Sequence, residues 1–252
     1  MMDLTATNLA VSFPAPDGMP MAVLGPVSFT IEAGSFVALL GPSGCGKSTL
    51  IRILGGLILP SSGQVTIADQ IITEPRTEVA LMFQDANLMP WRTVQDNIGL
   101  PLELVNIEKK EREQRVHDLL PVLGLEGFHD SYPGELSGGM AQRVALGRVL
   151  VQSPEVVLLD EPFGALDAMT REKISLDLLR IWAKYRQTVL MVTHDINEAV
   201  LLADRVMVLS QRPGRLVGDI SVPLERPRNL EMIYTQQFID TARQVRRVID
   251  NA

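Results

Sequence analysis

Apolar positions recur along this chain in two periods. Ser35 to Leu40, Val79 to Phe83, Val156 to Leu159, Thr188 to Val192 and Arg205 to Leu209 are short runs that are apolar nearly throughout. Runs of this kind predict strands buried on both faces. Leu4 to Phe13 alternates loosely, and Val27 to Ile31 and Gln64 to Ile72 are rich in β-formers, so these predict further strands. Helical spacing marks Lys47 to Leu57, and then Thr93 to Leu104, Lys109 to Leu123 and Ser137 to Val151. Residues 86–152 therefore read as a helical insertion into an α/β core. Strand and helix alternate again afterwards, with helices expected over Asp167 to Tyr185 and Asn197 to Ala203. That order implies a mostly parallel sheet covered on both faces. Beyond Arg226-Pro227-Arg228 a last helix places Phe238, Ala242, Val245 and Ile249 on one face. This face packs on its own domain or, alternatively, makes a dimer contact.

Composition adds exclusions. The 46% hydrophobic content is enough for a core that offsets chain entropy, so disorder is excluded for most of the 252 residues. The net charge of −7 argues against a general nucleic-acid binder, which needs a basic face, and against adhesion to an anionic membrane surface. The single cysteine, Cys45, permits no intrachain disulfide and fits a reducing compartment. The start of the chain carries no signal-peptide pattern, and no apolar run approaches the roughly 18–20 residues that span a bilayer. A soluble chain is expected.

Gly41-Pro42-Ser43-Gly44-Cys45-Gly46-Lys47-Ser48-Thr49 matches the phosphate-loop pattern, and it lies between an apolar strand and a helix. Glycines let successive N–H groups turn toward phosphate oxygens, and the helix N-terminus adds positive charge. Lys47 can reach the β and γ phosphates, and Ser48 can ligate Mg²⁺. Cys45 reads as a small tolerated side chain, with a redox role as the alternative. Asp160 and Glu161 end another apolar strand, where α/β sheets gather ligands. Asp160 is expected to hold Mg²⁺ and Glu161 to act as general base on water. Alone, such an acid pair is as often a solvated turn. His194 ends a third apolar strand and can donate to a γ-phosphate.

Leu136-Ser137-Gly138-Gly139-Met140 opens a helix, with Ser137 as N-cap, and makes a second anion site. One ATP does not need two such sites from one chain, but two chains arranged head to tail do. In order and spacing these motifs resemble the ATP-binding subunits of ABC transporters over nearly the whole chain. Gly41–Thr49 is similar to the Walker A motif, Gln84 to the Q-loop glutamine, and Leu136–Gly139 to the signature. Val156–Asp160 with Glu161 resembles Walker B and the catalytic glutamate. Gly164-Ala165-Leu166-Asp167 resembles the D-loop, His194 the switch histidine, and Phe13 the aromatic residue that stacks on adenine. Met140, Gly164 and Phe13 stand where the family commonly has glutamine, serine and tyrosine.

The resemblance implies a P-loop ABC ATPase fold: α/β, with a mostly parallel core sheet, an N-terminal antiparallel β subdomain and an inserted α-helical subdomain. It implies residues 1–225 as the ATP-binding domain and 226–252 as a helical tail. It further implies ATP and Mg²⁺ as cofactors, with Gln84 sensing metal and water. Ser137, Gly138, Gly139 and Asp167 would meet nucleotide across a dimer with a second copy or a homologous ATPase subunit. The expected partners are an integral membrane permease and, indirectly, a periplasmic or lipoprotein binding protein, with the chain peripheral on the cytoplasmic face of the inner membrane. Leu88 to Asn97, the LSGGM signature and Arg212-Pro213-Gly214-Arg215 resemble nitrate/sulfonate/taurine-type importers. Trp91 is read either as part of that likeness or as packing at a helix start. The rivals are a non-transport ABC ATPase, an importer ATPase for an unrelated substrate, a P-loop GTPase or kinase, and a scaffold with a dead site.

Overall fold

A computed structural model describes residues 2–16, 18–164 and 166–252. Strands β1 (Leu4–Pro14) and β2 (Pro20–Ile31) pair antiparallel, from Leu4 opposite Ile31 to Pro14 opposite Pro20. The buried strand β3 (Phe36–Leu40) leads through a loop to α1 (Lys47–Leu54). This helix stops short of Leu57 because Gly56 adopts φ +72°. The expected strand from Gln64 to Ile72 is two strands, β4 (Ser62–Ile67) and β5 (Gln70–Ile71). Ala68 and Asp69 turn between them with φ of 47° and 63°, the geometry of a tight hairpin turn.

β6 (Val79–Met82) is followed by α2 (Val94–Leu104), α3 (Lys109–Leu123), a 3-10 turn at Pro133–Glu135 and α4 (Gly138–Leu150). Then come β7 (Val156–Asp160), α5 (Ala168–Tyr185), β8 (Thr188–Val192), α6 (Ile196–Leu202) and β9 (Arg205–Leu209). β10 (Leu216–Ser221) has no counterpart in the periodicity reading. It is a half-exposed edge strand interrupted by Gly218, and its pairing with β9 defines it. A 3-10 turn at Leu230–Tyr234 precedes α7 (Gln236–Asp250).

Among the described residues the strands form two sheets, ordered β2-β1-β4-β5 and β10-β9-β3-β8-β7-β6. The first is antiparallel; the second is parallel except for β10. Alternation along the central strands divides the interior into two cores. Phe36, Ala38, Leu40, Val157, Leu159, Val189 and Met191 face α2–α7. Val37, Leu39, Val156, Leu158, Leu190 and Val192 face α1 and the antiparallel sheet. Both faces are therefore covered, as all-apolar parallel strands require. Helices α2, α3 and α4 pack on one another, and α4 also packs on β6 and α5. In α7, Phe238 and Val245 are buried in the first core, so its apolar face packs on its own chain.

Candidate active site

Parallel pairing brings the ends of β3, β7 and β8 to one edge. Leu39 and Asp160 both lie beside Val192. The 41–46 loop leaves β3 here, and Gly46 caps α1 with φ +107°. A Cβ on Gly46 would stand 2.9 Å from Leu24 of β2, so the antiparallel sheet forms a wall behind the loop. Cys45 is buried in that second core, which suits the small-side-chain reading. Arg212 Nε donates to Gly44 O at 3.1 Å, and Gly214 N donates to Val23 O at 3.0 Å. The Arg212–Arg215 segment thus braces the loop from outside.

The Lys47 ammonium donates to Gly41 O at 2.8 Å and to Pro42 O at 3.0 Å, which folds it over its own loop. Ser48 Oγ donates to Asp160 Oδ1 at 3.1 Å. Burial pushes the Asp160 carboxyl up, and the Ser48 hydroxyl opposes that shift. Glu161 follows at φ +47°, an unfavourable backbone for its side chain. Its N–H bonds Val192 O at 3.0 Å, and its own carbonyl accepts from Gly164 N at 3.1 Å, so neighbours hold that conformation. Glu161 Oε2 lies 3.1 Å from His194 Nδ1. A Cβ on Gly164 would meet Glu161 Oε2 at 3.5 Å and Gln84 Nε2 at 3.6 Å, so those two side chains converge on one point. A cavity of about 360 Å³ runs from Gly41 and Pro42 past His194 and Asn197 to Arg246 of α7.

Lys47, Ser48, Gln84, Asp160, Glu161 and His194 therefore share one edge of the sheet. The other expected residues lie elsewhere. Phe13 ends β1, half-buried against the second core. Ser137 caps α4, its Oγ accepting from Met140 N at 3.3 Å. A Cβ on Gly139 would come within 2.7 Å of Thr170 Cγ2, so this glycine permits close packing of α4 on α5. Asp167 caps α5, and its bonds from Thr170 hold its carboxyl below the usual range. Ala165 of the expected D-loop lies outside the described residues.

Three polar residues near the site were given no role by the motif reading. Gln142 Nε2, from buried α4, donates to Gln84 O at 2.9 Å and so fixes the start of the 84–92 loop. Asn97 is fully buried and holds that loop's far end, accepting from Met89 N at 2.8 Å and donating to Met89 O and Arg92 O. Trp91 on this loop is 71% exposed, which excludes packing at a helix start. Glu198 is buried and bonded to Thr193, and burial pushes its carboxyl up to about 7. A buried Asn or Glu inside an apolar-periodic helix was the available signal.

The donor set near Ser48 and Asp160 is hydroxyl and carboxylate oxygen, which suits Mg²⁺, an ion that keeps water and phosphate as its other ligands.

The family model for ABC transporters matches residues 24–164. Bicarbonate transport ATP-binding protein CmpD of Synechocystis is 43% identical over 91% of this chain and 82% of its own length. Nitrate import ATP-binding protein NrtD of Synechococcus elongatus is 42% identical over 88% of this chain and 82% of its own. Taurine import ATP-binding protein TauB of Roseobacter denitrificans is 40% identical over 88% and 83%. Among solved structures, the dimeric ATP-binding cassette MJ0796 in a post-hydrolysis state, bound to ADP and Pi, superposes with a TM-score of 0.76. It is 31% identical over 88% of this chain and all of that one. With the family model matched over residues 24–164 and relatives of 40–43% identity matched over 82–83% of their own length, the chain belongs to the ABC transporter family and is one of its ATP-binding, ATP-hydrolysing subunits.

Proposed function

We propose that this chain energises an importer of small anions or their close relatives, of the nitrate, bicarbonate, sulfonate or taurine kind. The relatives' names support that substrate class. The observation that carries the catalytic reading is the Glu161–His194 contact at 3.1 Å beside Ser48 and Asp160.

In this reading Lys47 and the 41–46 amides hold the β and γ phosphates, with Phe13 stacking on adenine. Ser48 and Asp160 hold Mg²⁺, with Gln84 beside it; the ion neutralises phosphate charge when bound. Glu161 accepts the proton of the attacking water, and His194 donates to the γ-phosphate from its remaining ring nitrogen. Ser137 and Gly138 are exposed at the start of α4 and close over nucleotide held by a second copy. Residues 1–225 act as the ATP-binding domain, with 86–152 inserted, and 226–252 as a tail. No helix among the described residues is long and apolar enough to cross a membrane; in this reading an integral membrane permease carries the substrate. The rigidly built 84–92 loop with exposed Trp91 is its docking surface, on the cytoplasmic face.

The test is Glu161→Gln in the chain reconstituted with its copurifying permease. ATP binding should persist while turnover falls by about 10²–10⁴. Turnover near the wild-type rate would reject Glu161 as base. In vesicles holding the unsubstituted chain and the same permease, nitrate, bicarbonate, taurine and an alkanesulfonate are screened for stimulated ATPase. Stimulation by none of them would reject the substrate class.

A further inference from the structure

Arg171 is the fourth residue of α5, close to the helix end where the dipole disfavours a cation. Its guanidinium folds back across that end. Nη2 donates to Leu166 O at 2.9 Å, and Nη1 stands 3.6 Å from Asp195 Oδ2. Its Nε is buried with no hydrogen-bond partner among the described residues, so burial of this side chain is not offset by a full set of bonds.

Asp195 divides its two oxygens. Oδ1 caps α6, accepting from Asn197 N at 2.8 Å and Glu198 N at 3.0 Å; Oδ2 faces Arg171. Asp195 N donates to Thr193 Oγ1 at 3.1 Å, which tightens the turn that carries His194. Glu161 and Leu166 are thus each tied to the 193–195 turn. Glu161 meets His194 at one end, and Leu166 reaches Asp195 through Arg171 at the other.

We propose that Arg171 is a positioning residue for hydrolysis: it joins the Leu166 carbonyl to the Asp195 carboxylate and so keeps His194 in reach of Glu161. The inference rests on the roles given to Glu161 and His194 above. A displacement at Leu166, which also lies against Gly138 of the signature, is passed through Arg171 to the 193–195 turn. A partly exposed ion pair of this length adds little to stability, so its effect belongs in turnover.

The experiment measures kcat, KM and the affinity for a slowly hydrolysed ATP analogue in Arg171→Ala, Arg171→Lys, Asp195→Asn and the Arg171→Ala/Asp195→Asn double variant. Arg171→Ala should lower kcat about tenfold while analogue affinity is retained. Arg171→Lys should recover part of the loss, since one ammonium serves one of the two acceptors well. Asp195→Asn keeps the helix cap, removes the charge and should lower kcat as well. It reads the same contact should Arg171→Ala fold poorly. The double variant should be no slower than the slower single one. Wild-type kcat in Arg171→Ala, or losses that multiply in the double variant, would overturn the proposal. Glu161→Gln measured alongside separates the two ideas. If it is inactive while Arg171→Ala is normal, only the positioning role falls; if it is active, the base assignment falls.

Discussion

In the six-stranded sheet, β3, β7 and β8 are buried along their whole length, and polar chemistry gathers where they end. In the four-stranded sheet, β1 and β2 mix buried and exposed positions, and polar side chains pair on the outer face, as Thr5 does with Thr30 and Asn8 with Ser28. The difference follows from strand direction. Parallel strands end together, so their last residues and the loops that follow converge on one edge. Antiparallel strands end alternately at both edges, so nothing accumulates. The antiparallel sheet serves the site as a support: Leu24 packs against Gly46, and Val23 and Gly25 hold Gly214.

The contrast predicts that changes at the parallel strand ends affect function more than stability, and that changes in the core of the antiparallel sheet, away from Phe13, affect stability more than function. Lys47→Ala gives the largest effect. Losing a charge-assisted contact worth about 3 kcal/mol should weaken ATP binding by about 100-fold, with little change in the thermal midpoint. Calorimetric titration with ATP checks it, and unchanged affinity would remove Lys47 from the phosphate site. Leu9→Ala empties a fully buried position of the second core. It should cost about 2–5 kcal/mol in denaturant unfolding while ATPase per folded molecule is kept. A lowered turnover would show that the antiparallel sheet does more than support.

Glu198 sharpens the comparison, because it is a buried acid at the rich edge. Its carboxyl ordinarily titrates near 4.5 and is pushed up to about 7. Between those values the folded chain holds a proton that the unfolded chain has released, so stability falls as pH rises across that window and levels off above it. Arg171, His194 and Asp195 are the ionisable groups that face it; Asp195 adds to the rise, and burial outweighs the lowering by the Thr193 hydroxyl and Arg171. Glu198→Gln should remove this slope and stabilise the chain at pH 8 by on the order of 3 kcal/mol. Parallel denaturant curves for variant and wild type at pH 5 and pH 8 would refute the idea.

The elements that sequence periodicity marked best are the ones whose burial is complete. Thr188–Val192 and Arg205–Leu209 have the expected bounds because parallel strands inside a double-covered sheet are apolar throughout. The Ala68-Asp69 turn was hidden, since neither residue is a glycine and the left-handed backbone is imposed by the pairing of β4 with β5. β10 was hidden because its edge position leaves alternate residues exposed, and Gly218 breaks the pattern.

The same division holds at the site. The shared location of Lys47, Ser48, Asp160, Glu161 and His194 was legible, because each stands at or just beyond the end of an apolar strand and those positions are written in linear order. Gln142, Asn97, Arg171 and Glu198 were not. Each acts by reaching a group far away in the chain or across a turn, such as the Gln84 carbonyl, the Met89 loop or the Asp195 carboxylate. Sequence by itself determined the order of strands and helices and the loop chemistry between them, since burial period and local turn preference act within a few residues. Only the tertiary structure decided which carbonyl each buried polar group would meet, because a hydrogen bond depends on distances that exist once the sheets and helices have packed.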